Sequence, residues 1–305
     1  MWGVTMVARR SLKTLARRGL RGTAKAWNTP LEFVQGYRYG RNFAASNGSA
    51  REPVLNTWLE DYSDSLTTGP GLWKWQHYLP IYERHLSKFR DKDVHILEIG
   101  VLSGGSLRMW HAYFGDKAYV YGVDIEPACH AYEDDRTRIF IGDQSDKSFW
   151  QQVVREVPQL DVVIDDGGHR SFQQIATMEA LLPHLRPGGV YLCEDVLGPI
   201  NSFHGYIEGF SRNLHTMGPV GPLGKDMLMN TSGLQRSIDS IHLYPFVTVI
   251  ERRSAQLTQM SAPKRGTEWQ PVDTEWEQRV AAAAIRRPTT SRLNPARYFR
   301  ISARS

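Results

Sequence analysis

Short apolar segments alternate with helix-like segments between residues 94 and 196, and this alternation constrains the fold more than any other feature of the chain. The apolar segments read VHILEIG, AYVYGVDI, RIFIGD, LDVVIDDG and GGVYLCEDV. The helix-like segments among them read SLRMWHAYF, SFWQQVVREV and SFQQIATMEALLPHL. Alternating strands and helices form parallel sheets covered on both faces, because parallel strands need crossover connections. The sequence therefore predicts an α/β fold of the Rossmann-like type.

The regions on either side of this core have a different character. Residues 1–56 form a basic arm, predicted to be partly helical or disordered, and helices are expected from Trp58 onward. Residues 198–236 are rich in Gly, Pro, Asn and Met, which predicts a loop or lid with some helix. Two strand-like runs follow in SIHLYPFVTVIER and predict an antiparallel pair at the sheet edge. We expect one domain over residues 57–254 and a polar, irregular tail over residues 255–305.

The positive charge lies mainly in the two ends of the chain. The net charge is +5, and seven Lys or Arg residues precede the first acidic residue, Glu32. Charge in the tails, without an aromatic and basic motif, argues against a nucleic-acid partner. The amphipathic pattern of the first 20 residues fits either a solvated tail or peripheral membrane contact. Cys129 and Cys193 imply no disulfide framework, which favours a reducing, cytoplasmic compartment.

A glycine-rich turn and a series of acids accompany the first three predicted strands. The turn LEIGVLSGGS contains Gly100 and Gly104, and glycine lets the backbone approach a ligand closely. Its spacing is neither the dinucleotide fingerprint nor a phosphate loop. Glu98, Asp124 and Asp143 stand at strand ends, where carboxylates accept hydrogen bonds from ribose hydroxyls or an adenine amino group. One such acid is typical of a helix cap, but the series with the glycines predicts a binding site at this edge of the sheet.

Two acidic pairs end the fourth and fifth predicted strands. They are Asp165-Asp166 in IDDGGH and Glu194-Asp195 in CEDV, and His169 follows the first pair. If the two strands are neighbours, these carboxylates meet, repel one another and raise one another's pKa. A divalent cation relieves that repulsion, and hard oxygen ligands suit Mg²⁺. The sequence therefore indicates a metal site beside the predicted binding site.

The motifs together resemble a known superfamily. HILEIGVLSGGS, YGVDI, IGDQ and DVVIDDGGH look like the successive motifs of class I methyltransferases that use S-adenosylmethionine. IDDGGH followed by GGVYLCEDV, with WQHYLPIYE before the core, is similar to the metal-dependent sugar O-methyltransferases of the macrocin and mycinamicin type. The resemblance covers residues 72–253 and implies a mostly parallel seven-stranded sheet with an antiparallel edge strand. Gly168 departs from the pattern, because the family usually has serine there.

The resemblance also implies the roles of the site residues. Asp166, Glu194 and Asp195 would carry Mg²⁺, and His169 would be the general base toward a hydroxyl with an adjacent oxygen, on a sugar or glycosylated natural product. His204, in the predicted lid, is a rival base. S-adenosylmethionine would contact residues of the glycine-rich turn, the strand ends and the helix before the core: Glu98, Gly100, Gly104, Ser106, Asp124, Asp143, Gln144, Asp165, His77 and Tyr78. For Asp165 the alternative is support of the turn, and for His77 and Tyr78 it is packing.

Three other functions fit parts of this pattern. A catechol-type O-methyltransferase also binds two adjacent oxygens, and hydroxylases of related families hold Fe²⁺ with carboxylates and histidine. A cofactor-binding protein without turnover would keep the fold alone. The sequence leaves a homo-oligomer open. Trp73, Trp75 and Trp110 are predicted to be core residues rather than a substrate platform.

Overall fold

The computed structural model describes residues 32–43, 57–198, 201–216, 226–263 and 265–266. Contacts divide the chain into two units, Met1–Asn56 and Thr57–Ser305. In the first unit, residues 32–41 form helix α1. The predicted amphipathic start of the arm and most of the predicted tail lie outside the described residues. Among the described helices, none has the length and apolar character that a bilayer crossing needs.

A seven-stranded sheet is the centre of the second unit. The described strands are β1 (Val94–Ile99), β2 (Ala118–Asp124), β3 (Thr137–Ile141), β4 (Leu160–Asp165), β5 (Leu185–Cys193), β6 (Asp226–Asn230), β7 (Ile238–Tyr244), β8 (Val247–Arg252) and β9 (Gln259–Pro263). The order in the sheet is β3-β2-β1-β4-β5-β8-β7. Strands β1 to β5 run parallel, and β8 pairs antiparallel with both β5 and β7. The predicted Rossmann-like fold with an antiparallel edge is confirmed.

Helices pack around this sheet. They are α2 (Trp58–Ser65), α3 (Leu79–Leu86), α4 (Gly105–Phe114), α5 (Lys147–Glu156), α6 (Ser171–Leu181), α7 (Phe203–Arg212) and α8 (Gly233–Ser237). Side chains cap the amino termini of α2, α5 and α8. Thr57 and Glu60 form a capping box at α2, and the Asp146 carboxylate accepts a backbone N–H at the start of α5. Pro80 lies in the first turn of α3, where its missing N–H costs no hydrogen bond.

The segment after β5 has more regular structure than its composition predicts. It contains α7, β6 and α8, and β6 pairs with β9 in a separate two-stranded sheet. Residues 259–263 therefore form a strand rather than the irregular tail that we expected. The sequences of the two strands, DMLMN and QMSAP, lack β-branched residues and a regular alternation, so the usual signal of a strand is missing.

Apolar side chains fill both faces of the parallel sheet. Ile96 packs in one core cluster with Trp110, whereas its neighbour Leu97 packs in the other with Trp150. Adjacent residues of a strand point to opposite faces, so a strand buried on both sides reads as a continuous apolar run. Trp110 is core, as predicted. The same prediction is wrong for Trp73 and Trp75, which are 87% and 52% exposed.

Candidate active site

A cavity of about 740 Å³ lies at the carboxyl ends of the parallel strands. Its lining includes residues that end or directly follow β1, β2, β3, β4 and β5. The strand order changes direction between β1 and β4, and open α/β sheets bind ligands at this kind of switch point. The volume lies in the range of small-molecule sites. The cavity therefore lies where an open α/β sheet binds its ligands.

The glycine-rich turn brings the end of β1 against the residue after β4. Gly100 has a φ of 90°, and a Cβ atom there would lie 2.0 Å from the Asp166 carbonyl oxygen. Only glycine fits this approach. The Asp124 carboxylate accepts hydrogen bonds from the backbone N–H groups of Val101 and Leu102, at 2.9 and 3.0 Å, and also lines the cavity. Gly100 and Asp124 thus fix the conformation of the turn, which forms one wall of the cavity.

Gln144 ties the end of β3 to the turn after β4. Its amide nitrogen donates to Asp165 at 2.6 Å, and its amide oxygen accepts from the Gly168 N–H at 2.9 Å. Tyr191 also donates to the Asp165 carboxylate, at 3.0 Å. Burial raises the pKa of Asp165 to about 6. Asp165 is fully buried and is not among the residues that line the cavity, which favours its alternative role as a support of the turn.

The acids converge around a lysine that the sequence analysis did not single out. The Lys74 ammonium lies 3.1 Å from Glu98, 2.7 Å from Asp166 and 3.2 Å from Glu194. Burial lowers the pKa of Lys74, but Glu194 and the other neighbouring anions outweigh burial and hold the pKa well above its usual value. We call the four carboxylates of Glu98, Asp166, Glu194 and Asp195, together with Lys74, the acid cluster.

Aromatic side chains hold the two acids that follow β5. Tyr82 donates to Glu194 Oε1 at 2.6 Å, and Tyr78 donates to Asp195 Oδ1 at 2.6 Å. The Trp75 indole N–H also donates to Asp195 Oδ1, at 3.1 Å. Burial raises the pKa of Glu194, while the charge of Lys74 acts in the opposite direction and does not cancel the effect. These bonds orient both carboxylates before any ligand binds.

His169 stands beside two of these carboxylates. Its Nε2 atom lies 3.6 Å from Asp195 Oδ2 and 3.9 Å from Asp166 Oδ1. Its backbone has a φ of 53°, and the Asn201 side chain donates to its carbonyl oxygen at 2.9 Å. Its Nδ1 atom is buried and has no hydrogen-bond partner among the described residues. The Nε2 atom of the ring therefore faces the acids, while Asn201 fixes the backbone of His169.

The arrangement suits a divalent cation in part. Asp166, His169 and Asp195 each offer one ligand atom, and these atoms lie within 4.8 Å of one another. Carboxylate oxygens are the ligands that Mg²⁺ prefers. The carboxylate of Glu194, the third predicted ligand, lies within reach of Lys74 and Tyr82 and does not belong to that close group. The predicted ligands Asp166 and Asp195 thus already lie close together, whereas Glu194 is adjacent and bonds Lys74 and Tyr82.

The cavity separates the remaining predicted residues into two groups. Those that line it are Tyr78, Gly100, Asp124, Asp143, Gln144, Asp166, His169, Glu194 and Asp195. Glu98, Gly104, Ser106 and His77 are not among the lining residues, and their contact with a cofactor stays a prediction. Ser106 donates to Glu98 at 2.6 Å, and His77 bonds the Pro245 carbonyl oxygen.

Gly104 and His204 both lie away from the cavity lining. Gly104 packs against the Tyr132 ring, where a Cβ atom would meet ring carbons at 2.8 Å. The rival base His204 is exposed, bonds the Asn201 carbonyl oxygen and does not line the cavity. Conversely, Trp73 and Trp75 do line the cavity, although their aromatic character predicted core positions.

Known proteins resemble this chain in its central part. Residues 97–196 match the family model of a methyltransferase domain. Demethylmacrocin O-methyltransferase of Streptomyces fradiae is 37% identical over 155 residues, which are 48% of this chain and 38% of the relative. The 8-demethyl-8-alpha-L-rhamnosyl tetracenomycin-C 2'-O-methyltransferase of Streptomyces olivaceus is 30% identical over 209 residues, which are 62% of this chain and 54% of the relative.

A solved structure shows the same relationship. It is the MycE methyltransferase from the mycinamycin biosynthetic pathway in complex with Mg and SAH, with 29% identity and a TM-score of 0.51 over 69% of this chain and 56% of that chain. The chain spans about half the length of these relatives or less. The resemblance to class I methyltransferases, and to the sugar O-methyltransferases of the macrocin and mycinamicin type, is confirmed.

Proposed function

We propose that this methyltransferase domain transfers a methyl group from S-adenosylmethionine to a hydroxyl of a sugar or glycosylated natural product, with the assistance of Mg²⁺. The observation that carries the proposal is the convergence of Asp166, His169 and Asp195 at the wall of the cavity. The relatives support the acceptor class, because two of them are named for O-methylation of demethylmacrocin and of a rhamnosyl tetracenomycin. The MycE complex with Mg and SAH supports the two cofactors.

The donor would bind along the wall formed by β1, β2 and β3. Gly100 lets the backbone come close to the bound molecule, and Asp124 and Asp143 present carboxylates to ribose hydroxyls and the adenine amino group. Asp124 is already anchored by two backbone N–H groups, so its position costs no ordering when the donor binds. This half of the cavity would set the position of the sulfonium methyl group.

The acceptor would bind over the acids that end β4 and β5. Asp166, Glu194 and Asp195 would hold Mg²⁺ through carboxylate oxygens. When bound, the cation lowers the pKa of the acceptor hydroxyl and fixes its orientation through the adjacent oxygen. Tyr78 and Trp75 hold Asp195 Oδ1, which leaves Oδ2 on the side of His169.

His169 would take the proton of the acceptor hydroxyl on its Nε2 atom. The O–H bond breaks toward this nitrogen, the hydroxyl oxygen forms the new bond to the methyl carbon, and the electron pair of the carbon–sulfur bond stays on sulfur. A base of this type contributes about 10²- to 10⁴-fold to a rate. Asn201 fixes the backbone of His169 through the carbonyl oxygen of that residue. The protein otherwise contributes by aligning donor and acceptor.

Acceptor competition tests the proposal. The purified chain is incubated with S-adenosylmethionine and either a rhamnosyl polyketide or a catechol, with Mg²⁺ or with EDTA, and products are followed by mass spectrometry. We expect a singly methylated glycoside that depends on Mg²⁺. Preference for the catechol would favour the catechol-type enzyme. Oxygen consumption with Fe²⁺ and a 2-oxo acid, without methyl transfer, would favour a hydroxylase, and donor binding without any turnover would favour a binding protein.

The arm and the assembly are separate proposals. Peripheral membrane contact through residues 1–56 predicts that full-length protein floats with anionic liposomes and that a chain lacking this arm does not. Self-association predicts a mass above 34.8 kDa in light scattering. Recovery of both proteins at the bottom of the flotation gradient would contradict membrane contact. A monomeric mass would contradict self-association.

A further inference from the structure

Lys74 is the most heavily paired charge of the described residues. Lys74 lies outside any helix or strand, two residues before the short 3-10 helix Gln76–Tyr78. Its side chain is nevertheless only 4% exposed. Its ammonium reaches Asp166 Oδ2 at 2.7 Å and both oxygens of Glu194 at 3.2 and 3.3 Å. A buried ammonium is costly unless it is paired, and here three carboxylates pair with it. The buried position of Lys74 therefore depends on the carboxylates of this site.

The acid cluster remains unbalanced in spite of this lysine. Its four carboxylates face one ammonium in the described part of the chain. Lys74 shares Asp166 and Glu194 with the proposed metal site, while the Glu98 carboxylate, among the residues that the structure describes, bonds Lys74 and Ser106. A dication that used Glu194 would have to draw its oxygens from the ammonium, because Lys74 bonds both of them. At Asp166 the two cations would share one carboxylate, with Lys74 on Oδ2, and would repel each other. The Lys74 ammonium and a bound divalent metal ion would therefore compete for the same carboxylates.

We propose that Lys74 is a positioning residue that holds the acid cluster together when no metal is bound and competes with the divalent cation for Asp166 and Glu194. This inference depends on the proposed function for the metal site. Lysine suits the role, since its ammonium is a compact charge on a flexible stem and keeps Glu98 as a partner when the others turn away. The lysine thereby limits the affinity of the site for metal and offsets the repulsion among the carboxylates of the metal-free protein.

Calorimetric titration of Lys74→Met with Mg²⁺ alone tests this competition. The experiment is run at about pH 8.5, because protons compete with metal for the same ligands at lower pH. We expect Lys74→Met to bind Mg²⁺ about tenfold more tightly than the wild type, and its Tm to rise more on addition of Mg²⁺. The exposed Lys117→Met is the matched control for the loss of one positive charge, and its affinity should equal that of the wild type.

A double variant keeps the test decisive if Lys74→Met does not fold. Lys74→Met/Glu98→Gln removes the ammonium together with the carboxylate that has no part in the proposed metal site, so less charge is left unpaired. We expect the same tighter binding of Mg²⁺. Equal or weaker affinity in the single or double variant, with normal binding by the wild type, would overturn the role of Lys74 alone. Absence of Mg²⁺ binding by the wild type would overturn the metal site and this inference together.

Discussion

Two polar clusters lie beside helix α3, and they differ in how completely their groups are paired. The first is the acid cluster, to which α3 contributes the Tyr82 hydroxyl. The second, which we call the histidine cluster, consists of His85, His242 and Glu251, and α3 contributes His85 to it. In the histidine cluster all three side chains offer ligand atoms within 4.8 Å of one another, and at the acid cluster Asp166 and Asp195 do so together with the neighbouring His169. Proximity of metal-binding residue types therefore does not distinguish the two clusters.

Pairing does distinguish them. In the histidine cluster, His85 bonds Glu251 at 2.6 Å through Nδ1 and Tyr244 at 2.9 Å through Nε2, and His242 bonds Ser240 at 3.0 Å. These bonds connect α3 to the antiparallel strands β7 and β8 and leave both nitrogens of His85 occupied. The acid cluster has more negative than positive charge and borders the cavity. The comparison indicates a structural tie in one place and a binding site in the other.

We expect the largest loss of methyl-transfer rate from a substitution in the acid cluster. Asp166→Asn removes a charge from the proposed metal site, and we expect methyl transfer to fall about 10³-fold, since metal assistance contributes several kcal/mol. The matched change in the histidine cluster, Glu251→Gln, should leave the rate within about twofold, because that cluster is only structural. Initial rates with saturating donor measure both. Equal losses in the two variants would remove the distinction between the clusters.

A smaller effect is expected at the histidine beside the acids. His169→Gln keeps a polar side chain but removes the base, which predicts a rate loss of about 10²-fold with little change in the binding of S-adenosylhomocysteine. His204→Gln is the control, since His204 is exposed and does not line the cavity. Rates and calorimetry on the same preparations decide the outcome. A greater loss at His204 would assign the base to α7.

Backbone geometry at the cavity wall predicts a loss of stability instead of rate. Gly100→Ala places a methyl group against the Asp166 carbonyl at a residue with positive φ, so the free energy of unfolding should fall by about 2 kcal/mol or more. Gly205→Ala is the control, because nothing lies within 4 Å of a Cβ atom there and the position is helical. Urea unfolding measures both, and equal stability of the two variants would show that the turn is not tightly packed.

The smallest effect concerns the histidine cluster. Burial lowers the pKa of His85, with Glu251 opposing. The unfolded chain then binds a proton more readily than the folded protein below about pH 6.5, so His85 makes the protein less stable as the pH falls. His85→Gln should reduce the loss of stability between about pH 7 and pH 5 by less than about 1 kcal/mol. Exposed His130→Gln should leave that loss unchanged, and a larger acid sensitivity of His85→Gln would contradict the assignment.

The sequence predicted the parts of the site that lie at strand ends. Because β4 and β5 are paired in register, with Asp165 opposite Cys193, the acids directly after both strands emerge side by side. The convergence of Asp166, Glu194 and Asp195 follows from these strand ends together with the resemblance to class I methyltransferases, which implies that β4 and β5 are neighbours. Gly100 likewise follows from a strand, a turn and the need for close backbone approach.

The parts that the sequence could not predict come from outside the alternating core. Lys74 lies between two tryptophans in a segment without regular structure, and no periodic pattern indicates that its ammonium is buried among the acids. Trp75 reads as a core residue, but it is half exposed and bonds Asp195. Both placements depend on a long-range contact between residues 73–78 and the sheet edge, which local propensities do not encode.

The most direct test of the central claim is the anomalous signal of Mn²⁺ in crystals grown with S-adenosylhomocysteine. We predict one strong peak in direct coordination distance of carboxylate oxygens of Asp166 and Asp195, with the cofactor sulfur in the neighbouring part of the cavity. A peak at His85, His242 and Glu251 instead, or none at the acid cluster in crystals that contain the cofactor, would contradict the account.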